Sequence, residues 1–150
     1  MKFLSNDQIP PLRGEFKLIG RDKEGRIVLD YSDKNMIVNN AKAALAALVS
    51  NKDADAKVIK RIGFGTSSTV PNPNDVELAN PYTKTITAYT YPAQGRVTFT
   101  WGLDYGEANG KAISEFGLLC DDGSLFARKV RGTITKDEDL ALEGEWTLIF

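Results

Sequence analysis

The strongest constraint on the fold is a turn signal between two apolar runs. Ile113–Cys120 and Leu125–Val130 flank the tetrapeptide DDGS at positions 121–124. An Asp-Gly pair between such runs is typical of a tight β-hairpin, because hairpin turns favour residues that tolerate a positive φ. The sequence therefore predicts an antiparallel hairpin here, with both central residues, Asp122 and Gly123, at positive φ.

A tight hairpin also brings two opposite charges together on one face of the sheet. A two-residue loop places Leu119 opposite Phe126 and Gly117 opposite Arg128. Glu115 is then diagonal to Arg128 on the same face, and Gly117 leaves space between the two side chains. The sequence thus predicts a partly buried ion pair between Glu115 and Arg128.

One segment carries a helical rather than a strand pattern. Residues 41–50 carry an apolar stripe at helical spacing, made of Ala41, Ala44, Leu45, Leu48 and Val49. Asn39 or Asn40 precedes it as a candidate cap. The small side chains predict that this helix packs closely on a sheet. The charged residues that follow, at 52–57, predict an exposed loop that leads out of the helix.

Most of the remaining chain alternates between polar and apolar residues, the pattern of half-buried strands. Further strands are predicted at 15–19, 26–31, 58–64, 83–91, 96–101 and 146–150. The expected fold is mainly β, an antiparallel sandwich or a sheet-rich α+β fold, with one packed alanine-rich helix near residues 41–50. The chain of 150 residues is expected to form a single domain, with an extended N-terminal arm at 1–11 and a β-rich body at 12–150.

Composition argues against several classes of site. The chain has no histidine, which excludes Ser-His-Asp and Cys-His catalysis and imidazole metal ligands. Cys120 is its single cysteine and is expected to be a small core residue. The net charge of −1 gives no electrostatic case for nucleic acid or an anionic membrane. The sequence predicts no catalytic residue, no cofactor and no metal site, and no signal peptide or membrane span, hence synthesis in a cytoplasm.

The segment RIGFGTSSTVPNPND at 61–75 raises the question of a phosphate-binding loop. It lacks the third glycine of a dinucleotide fingerprint and the Gly-Lys-Ser/Thr end of a P-loop. Pro71 and Pro73 prevent the helix whose N-terminus would hold the phosphate. Gly63 and Gly65 are therefore predicted to mark a bend in a strand, and residues 66–75 a proline-stiffened loop that crosses the end of the sheet.

Acidic residues suggest two weaker hypotheses. The segment 51–55 has the first ligand positions of a calcium loop but not its glycine or its bidentate glutamate, which favours a solvated loop. Asp104, Glu107 and Glu115 could supply a carboxylate pair for glycoside hydrolysis. Asp104 and Glu107 lie in a glycine- and asparagine-rich loop where acidic residues are common, which favours a structural role for both.

Aromatic residues suggest a third hypothesis, a module that binds glycans on a cell surface. Side chains that could stack on sugars are Tyr89, Tyr91, Trp101 and Tyr105. Aromatic residues in strands are more often core residues or cross-strand pairs. The sequence leaves this alternative open.

The order of several short motifs resembles a known group of proteins. From about residue 40 to residue 150, the chain is similar to small tail proteins of bacteriophages and prophages that are related to the N-terminal tail-collar region of phage tail fibres. In that family a G-x-G with a Pro/Asp loop is followed by E-x-G-L and then by D-G-x-L-x-A. The matching segments here are IGFGT at 62–66, PNPND at 71–75, ISEFGLL at 113–119 and DGSLFAR at 122–128.

The resemblance implies a virion component of the phage tail without enzyme activity, made in the cytoplasm of the host bacterium. Such proteins attach fibres or adhesins to a baseplate or tail tip, or form part of it, generally as symmetric homo-oligomers. The chain has no long repetitive shaft before residue 150, so the expected role is a short adaptor, a baseplate or tail-tip component, or an adhesin-holding subunit. The motif residues, expected to be structural, are Gly63, Gly65, Pro73, Glu115, Gly117, Asp122, Gly123 and Arg128.

Overall fold

The computed structural model describes residues 11–150, so the expected arm at 1–11 lies outside the described residues apart from Pro11. Two helices and nine strands follow one another in this part of the chain. The helices are α1 (Asn40–Ser50) and α2 (Ala54–Lys57); the strands are β1 (Arg13–Arg21), β2 (Ile27–Ile37), β3 (Ile59–Gly65), β4 (Tyr82–Thr85), β5 (Ala88–Thr90), β6 (Arg96–Leu103), β7 (Ala112–Cys120), β8 (Leu125–Thr135) and β9 (Ala141–Ile149). All the strands join one antiparallel sheet in the order β4-β3-β7-β8-β2-β1-β9-β6-β5.

The sheet curls until its two halves face each other across one core. β2 connects the halves: it pairs with β1 along most of its length but with β8 only at Met36 and Ile37. Rings from the two halves meet in the core, where the centroids of Phe16 on β1 and Phe116 on β7 are 4.9 Å apart. The expected mainly β fold with a packed alanine-rich helix is confirmed.

The first helix covers part of this core with its smallest side chains. Ala41 and Ala44 are each 1% exposed and belong to the core cluster. Val49, which the helical pattern placed on the same stripe, is 89% exposed and points to solvent. The predicted exit loop at 52–57 contains the single-turn helix α2.

The prediction of a single strand over 83–91 is wrong, because two separate strands occupy that stretch. β4 pairs with β3 at one edge of the sheet, and β5 pairs with β6 at the other edge. The amide of Ile86 donates to the carbonyl of Lys60 at 2.8 Å, and the chain then crosses to the opposite edge. Both strands carry the same threonine-rich alternation, so the pattern alone gives no sign of the break.

The hairpin predicted around Asp122 and Gly123 forms, but with a three-residue loop. The amide of Cys120 donates to the carbonyl of Ser124 at 2.9 Å and closes the loop. Gly123 has a φ of 86°, whereas Asp122 is not among the residues with positive φ. The prediction that both central residues take positive φ is therefore wrong.

A bulge next to this turn compensates for the longer loop. Leu119 pairs with Leu125 rather than with Phe126, and the register shifts between positions 118 and 119. Beyond the bulge, Gly117 pairs with Arg128, as predicted. The turn and the bulge together preserve the face on which Arg128 lies.

Candidate functional site

Most of the motif residues meet where residues 66–81, here called the clamped loop, cover the sheet. The central strand β7 is buried on both faces. Phe116 and Leu118 belong to the main core, whereas Glu115 and Gly117 face the clamped loop. The loop was predicted to cross the end of the sheet; instead it covers the outer face of β3, β7 and β8.

The predicted ion pair lies at the centre of this contact. Glu115 Oε2 and Arg128 Nη2 are 3.2 Å apart, and their side chains are 0% and 4% exposed. Glu115 is on β7 and Arg128 on β8, two positions apart in register, as the hairpin pattern predicts. The expected Glu115–Arg128 pair is confirmed, and it is fully rather than partly buried.

Both members of the pair also bind the clamped loop. Glu115 Oε1 accepts a hydrogen bond from the amide of Ala79 at 2.9 Å. Arg128 Nη1 donates to Asp75 Oδ2 at 2.8 Å, and its Nη2 is 3.5 Å from Ser67 Oγ. Each buried charge therefore has more than one polar partner, as a buried ion pair requires. Sequence reasoning missed Asp75, Ser67 and Ala79 as members of this cluster.

The loop is further ordered by its own asparagines and by the start of α1. Asp75 Oδ2 also accepts from the amide of Asn72 at 2.9 Å, and Asn72 Oδ1 accepts from the amide of Asn74 at 2.8 Å. The amide of Asn39 donates to the carbonyl of Pro73 at 2.7 Å, and its Nδ2 donates to Asn74 Oδ1 at 2.9 Å. Asn39 was predicted as a possible helix cap; its side chain makes no cap hydrogen bond and holds the loop instead.

The glycines of the motifs make room for the loop. Gly63 and Gly117 are paired on adjacent strands, and a Cβ at either position would lie 2.6 Å or 2.8 Å from Leu78 Cδ1. A Cβ at Gly65 would lie 2.8 Å from Glu115 Cγ. The register of β3 with β7 continues without a shift from Ile62 through Gly65, so no bulge interrupts this part of the strand. These glycines allow close approach, which places Leu78 against the sheet.

Asp122 and Gly123 lie apart from this cluster, at the β7–β8 turn. Asp122 Oδ2 accepts from Lys57 Nζ at 2.6 Å, and Oδ1 accepts from the amide and hydroxyl of Ser124 at 2.9 Å and 2.6 Å. The hydrogen bond from Lys57, followed by those from Ser124, lowers the pKa of Asp122 from 3.8 to about 2. Asp122 thus joins the turn to α2 and stays ionised well into acid.

Acid should weaken this link in a defined pH window. Because the pKa of Asp122 in the folded chain, about 2, is below its ordinary value of 3.8, its contribution to stability is present above pH 3.8 and is lost as the pH falls toward 2. We expect Asp122→Asn to be less stable than the wild type at pH 6 and to show a shallower loss of stability between pH 4 and pH 2. Urea unfolding at stepped pH measures both; parallel pH profiles for the two proteins would contradict the assignment.

Two of the three carboxylates considered for glycoside hydrolysis, those of Glu107 and Glu115, are held by basic side chains. Glu107 Oε1 accepts from Lys84 Nζ at 2.6 Å and from the amide of Asp104 at 3.0 Å. The hydrogen bond from Lys84 lowers the pKa of Glu107, whereas a glycosidase general acid needs a raised pKa. Glu115 is bound to Arg128. This geometry favours structural roles for Glu107 and Glu115.

The remaining acidic segment lies at the junction of the two helices. Asn51 follows α1 with a φ of 56°, and Asp53 precedes α2 with a φ of 50°. Within residues 11–150, no group of three or more cysteine, aspartate or glutamate side chains is arranged to hold a metal ion.

None of the helices in the same range is long and apolar enough to cross a membrane.

The four aromatic side chains proposed to stack on sugars do not share one exposed surface. Trp101 is 4% exposed and packs in the core, and the Tyr105 hydroxyl donates to the carbonyl of Asp22 at 2.5 Å. Tyr89 and Tyr91 are 61% and 74% exposed. Their ring centroids are 6.0 Å apart and their planes meet at 83°. The two exposed rings therefore do not form one flat stacking surface.

Comparisons with protein-family models, with curated proteins and with solved structures found no match. Function is therefore inferred from the site itself together with the motif resemblance. The structure gives those motifs a shared physical role. Six of the eight motif residues hold or accommodate the clamped loop, namely Gly63, Gly65, Pro73, Glu115, Gly117 and Arg128.

Proposed function

We propose that the chain is a non-enzymatic structural protein of a bacteriophage or prophage tail. It serves as a fibre or collar component, or as a baseplate or tail-tip adaptor, and it assembles with other tail proteins. The observation that carries this proposal is the use of the motif residues: they fix one surface loop on the sheet through a buried ion pair and paired glycines. A surface loop that is already ordered loses little conformational entropy on binding, which suits a protein that attaches to others.

The outer side of the clamped loop has the character of a docking surface. Val70 is 81% exposed and Val76 is 68% exposed, although neighbouring residues of the loop are tied to the sheet. Apolar side chains on a preordered loop lose little conformational entropy when a partner binds. The surface from Thr66 to Asn74, extended by Val76, is therefore the proposed contact with another tail protein or with a neighbouring copy of the chain.

The proposed partners are other copies of the chain and the tail, baseplate or fibre proteins next to it. Closed symmetry is the common arrangement of soluble homo-oligomers, and a ring or trimer fits a tail with rotational symmetry. The proposed location is the tail of the virion, after synthesis in the cytoplasm of the host bacterium. The net charge of −1 gives no support to a nucleic-acid partner.

Purified phage particles provide the direct test. The chain should be present in particles from the bacterium that encodes it, at a fixed ratio to the other tail proteins, as measured by quantitative mass spectrometry. Deleting its gene should leave particles without a complete tail or without fibres in electron micrographs. If the protein is abundant in the lysate but missing from purified particles, the proposal is wrong.

A single surface change should separate assembly from folding. Val70→Asp places a charge on the exposed side of the clamped loop, so we expect a change in stability within about 0.5 kcal/mol and a marked loss of incorporation into particles. The matched control is Val49→Asp, which alters a side chain that is 89% exposed on α1. Normal incorporation of the Val70 variant would remove this loop from the proposed interface.

The alternative function is glycan binding at a host surface through Tyr89 and Tyr91. Their exposure of 61% and 74% is the observation that favours it. A monomer that binds glycans on an array, and loses this binding in Tyr91→Ala, would support the alternative. A stable oligomer whose incorporation into particles is unchanged by Tyr91→Ala would support the tail role.

A further inference from the structure

An apolar groove lies between α1 and the edge of the sheet formed by β5 and β6. It has a volume of about 270 Å³. Its walls include Leu45, Leu48, Tyr89, Tyr91, Leu148 and Phe150. Three of these large side chains are more than half exposed: Tyr89 at 61%, Tyr91 at 74% and Phe150 at 52%. Adjacent exposed apolar groups of this kind mark an interaction surface or a ligand-binding groove.

The described part of the chain begins beside this groove. Arg13, at the start of β1, pairs with Ile149 of β9. The neighbours of Ile149 in sequence, Leu148 and Phe150, both line the groove. The described residues therefore start near the rim of the groove, and ten residues in an extended conformation span about 33 Å.

The composition of this segment suits an apolar groove. Residues 1–10 have the sequence MKFLSNDQIP, with Phe3 and Leu4 adjacent and Met1 and Ile9 at the two ends. A segment already joined to the body binds at a high effective concentration, so modest apolar contacts are sufficient. A free partner would need to form the same contacts without that advantage.

We propose that residues 1–10 bind the groove of their own chain, with Phe3 and Leu4 as the apolar anchors. This inference does not depend on the proposed tail function, because the groove and the clamped loop are built from different residues. It commits to the segment of the same chain. The same segment of a second copy, or a sugar held by Tyr89 and Tyr91, are the competing occupants that the experiments below distinguish.

The first experiment uses the full chain with the double substitution Phe3→Asp and Leu4→Asp. Without its anchors the segment leaves the groove, so binding of an apolar fluorescent dye should increase severalfold over that of the wild type. The matched control, Ser5→Asp with Asn6→Asp, adds the same charges to the same segment and should leave dye fluorescence unchanged. Equal dye fluorescence in the wild type and the Phe3/Leu4 variant would overturn the proposal.

The second experiment tests contact between segment and groove within one chain. Leu48→Asp changes the groove wall, and its effect on the thermal midpoint should be much smaller when Phe3 and Leu4 are already replaced, because residues in contact are not additive. Additive shifts would overturn the proposal. When the Phe3/Leu4 variant is mixed with an equal amount of the Leu48 variant, the high dye fluorescence of the Phe3/Leu4 variant should persist. If mixing restores the low wild-type fluorescence, the segment binds a second copy and the proposal is wrong.

Discussion

Replacing Glu115 with alanine is expected to lower the free energy of unfolding by about 3–5 kcal/mol, the range for removing one partner of a buried ion pair. The substitution leaves the Arg128 guanidinium, whose side chain is 4% exposed, without its partner on β7. It also removes the acceptor for the amide of Ala79. Urea unfolding, followed through the fluorescence of the buried Trp146, measures the loss.

Two controls separate the buried pair from a general effect of charge. Glu143→Ala breaks a pair with Arg21 whose side chains are 52% and 39% exposed, so it should change stability by at most about 1 kcal/mol. Arg128→Ala should match the loss in Glu115→Ala or exceed it, because Asp75 then loses its partner as well. A loss below about 1 kcal/mol in both Glu115→Ala and Arg128→Ala would contradict the role assigned to the pair.

The same substitution links stability to the proposed function. Glu115 holds Ala79 by its carboxylate, and the carbonyl of Ala79 in turn accepts from the amide of Thr66 at 3.0 Å. Loss of the carboxylate should therefore release the two ends of the clamped loop before the rest of the sheet, and hydrogen exchange at Ala79 and Thr66 should accelerate first. Assembly should fail in this variant even at temperatures where the body stays folded.

The sequence could predict the parts of the fold that depend on near neighbours. The turn at 121–124 lies only a few residues from Gly117 and Arg128, so the alternation of the two flanking strands settles which residues share a face. The bulge compensated for the longer loop, and the predicted pairing of Gly117 with Arg128 was correct although the turn type was wrong. The buried ion pair followed from that register.

The clamped loop could not be predicted in the same way, because its contacts are distant in sequence. Arg128 and Asp75 are 53 positions apart, and no local pattern reports which loop covers a sheet face. One signal was available: the five residues at 116–120 include no polar side chain, as in strands buried on both faces. Such a run indicates a second layer over β7 but does not identify the segment that forms it.

The strand predicted over 83–91 shows a different limit of prediction from sequence patterns. Threonine and tyrosine alternate through both β4 and β5, and a period of two indicates a strand without saying which neighbour it pairs with. The two strands lie at opposite edges of the sheet, so the choice depends on the curl of the whole sheet. Only tertiary structure separates them.

Leu78→Ala is the second substitution expected to have a large effect, with a loss of about 2–5 kcal/mol. Leu78 is 6% exposed and packs with Val38, Leu119 and Leu125 over the paired Gly63 and Gly117. Shortening it leaves a space that neither glycine can fill. Equilibrium urea unfolding measures the loss, and the exposed Val76→Ala is the matched control in the same loop, with no large change expected.

The fit between Leu78 and the glycines predicts that the effects of Leu78→Ala and Gly117→Ala on stability are not additive. A simple cavity at position 78 would not produce this coupling. Gly117→Ala alone should destabilise by about 1–3 kcal/mol, since its Cβ would lie 2.8 Å from Leu78 Cδ1. In the Leu78→Ala background that contact is gone and the 3.0 Å contact with Leu125 Cδ1 remains. The same change should therefore be milder, with a coupling of about 0.5–3 kcal/mol. Gly132→Ala, where a new Cβ meets nothing within 4 Å, should be harmless in both backgrounds. Additive effects of Leu78→Ala and Gly117→Ala would mean that Leu78 does not depend on the glycine pair, and that the G-x-G and E-x-G-L motifs serve some purpose other than seating this loop.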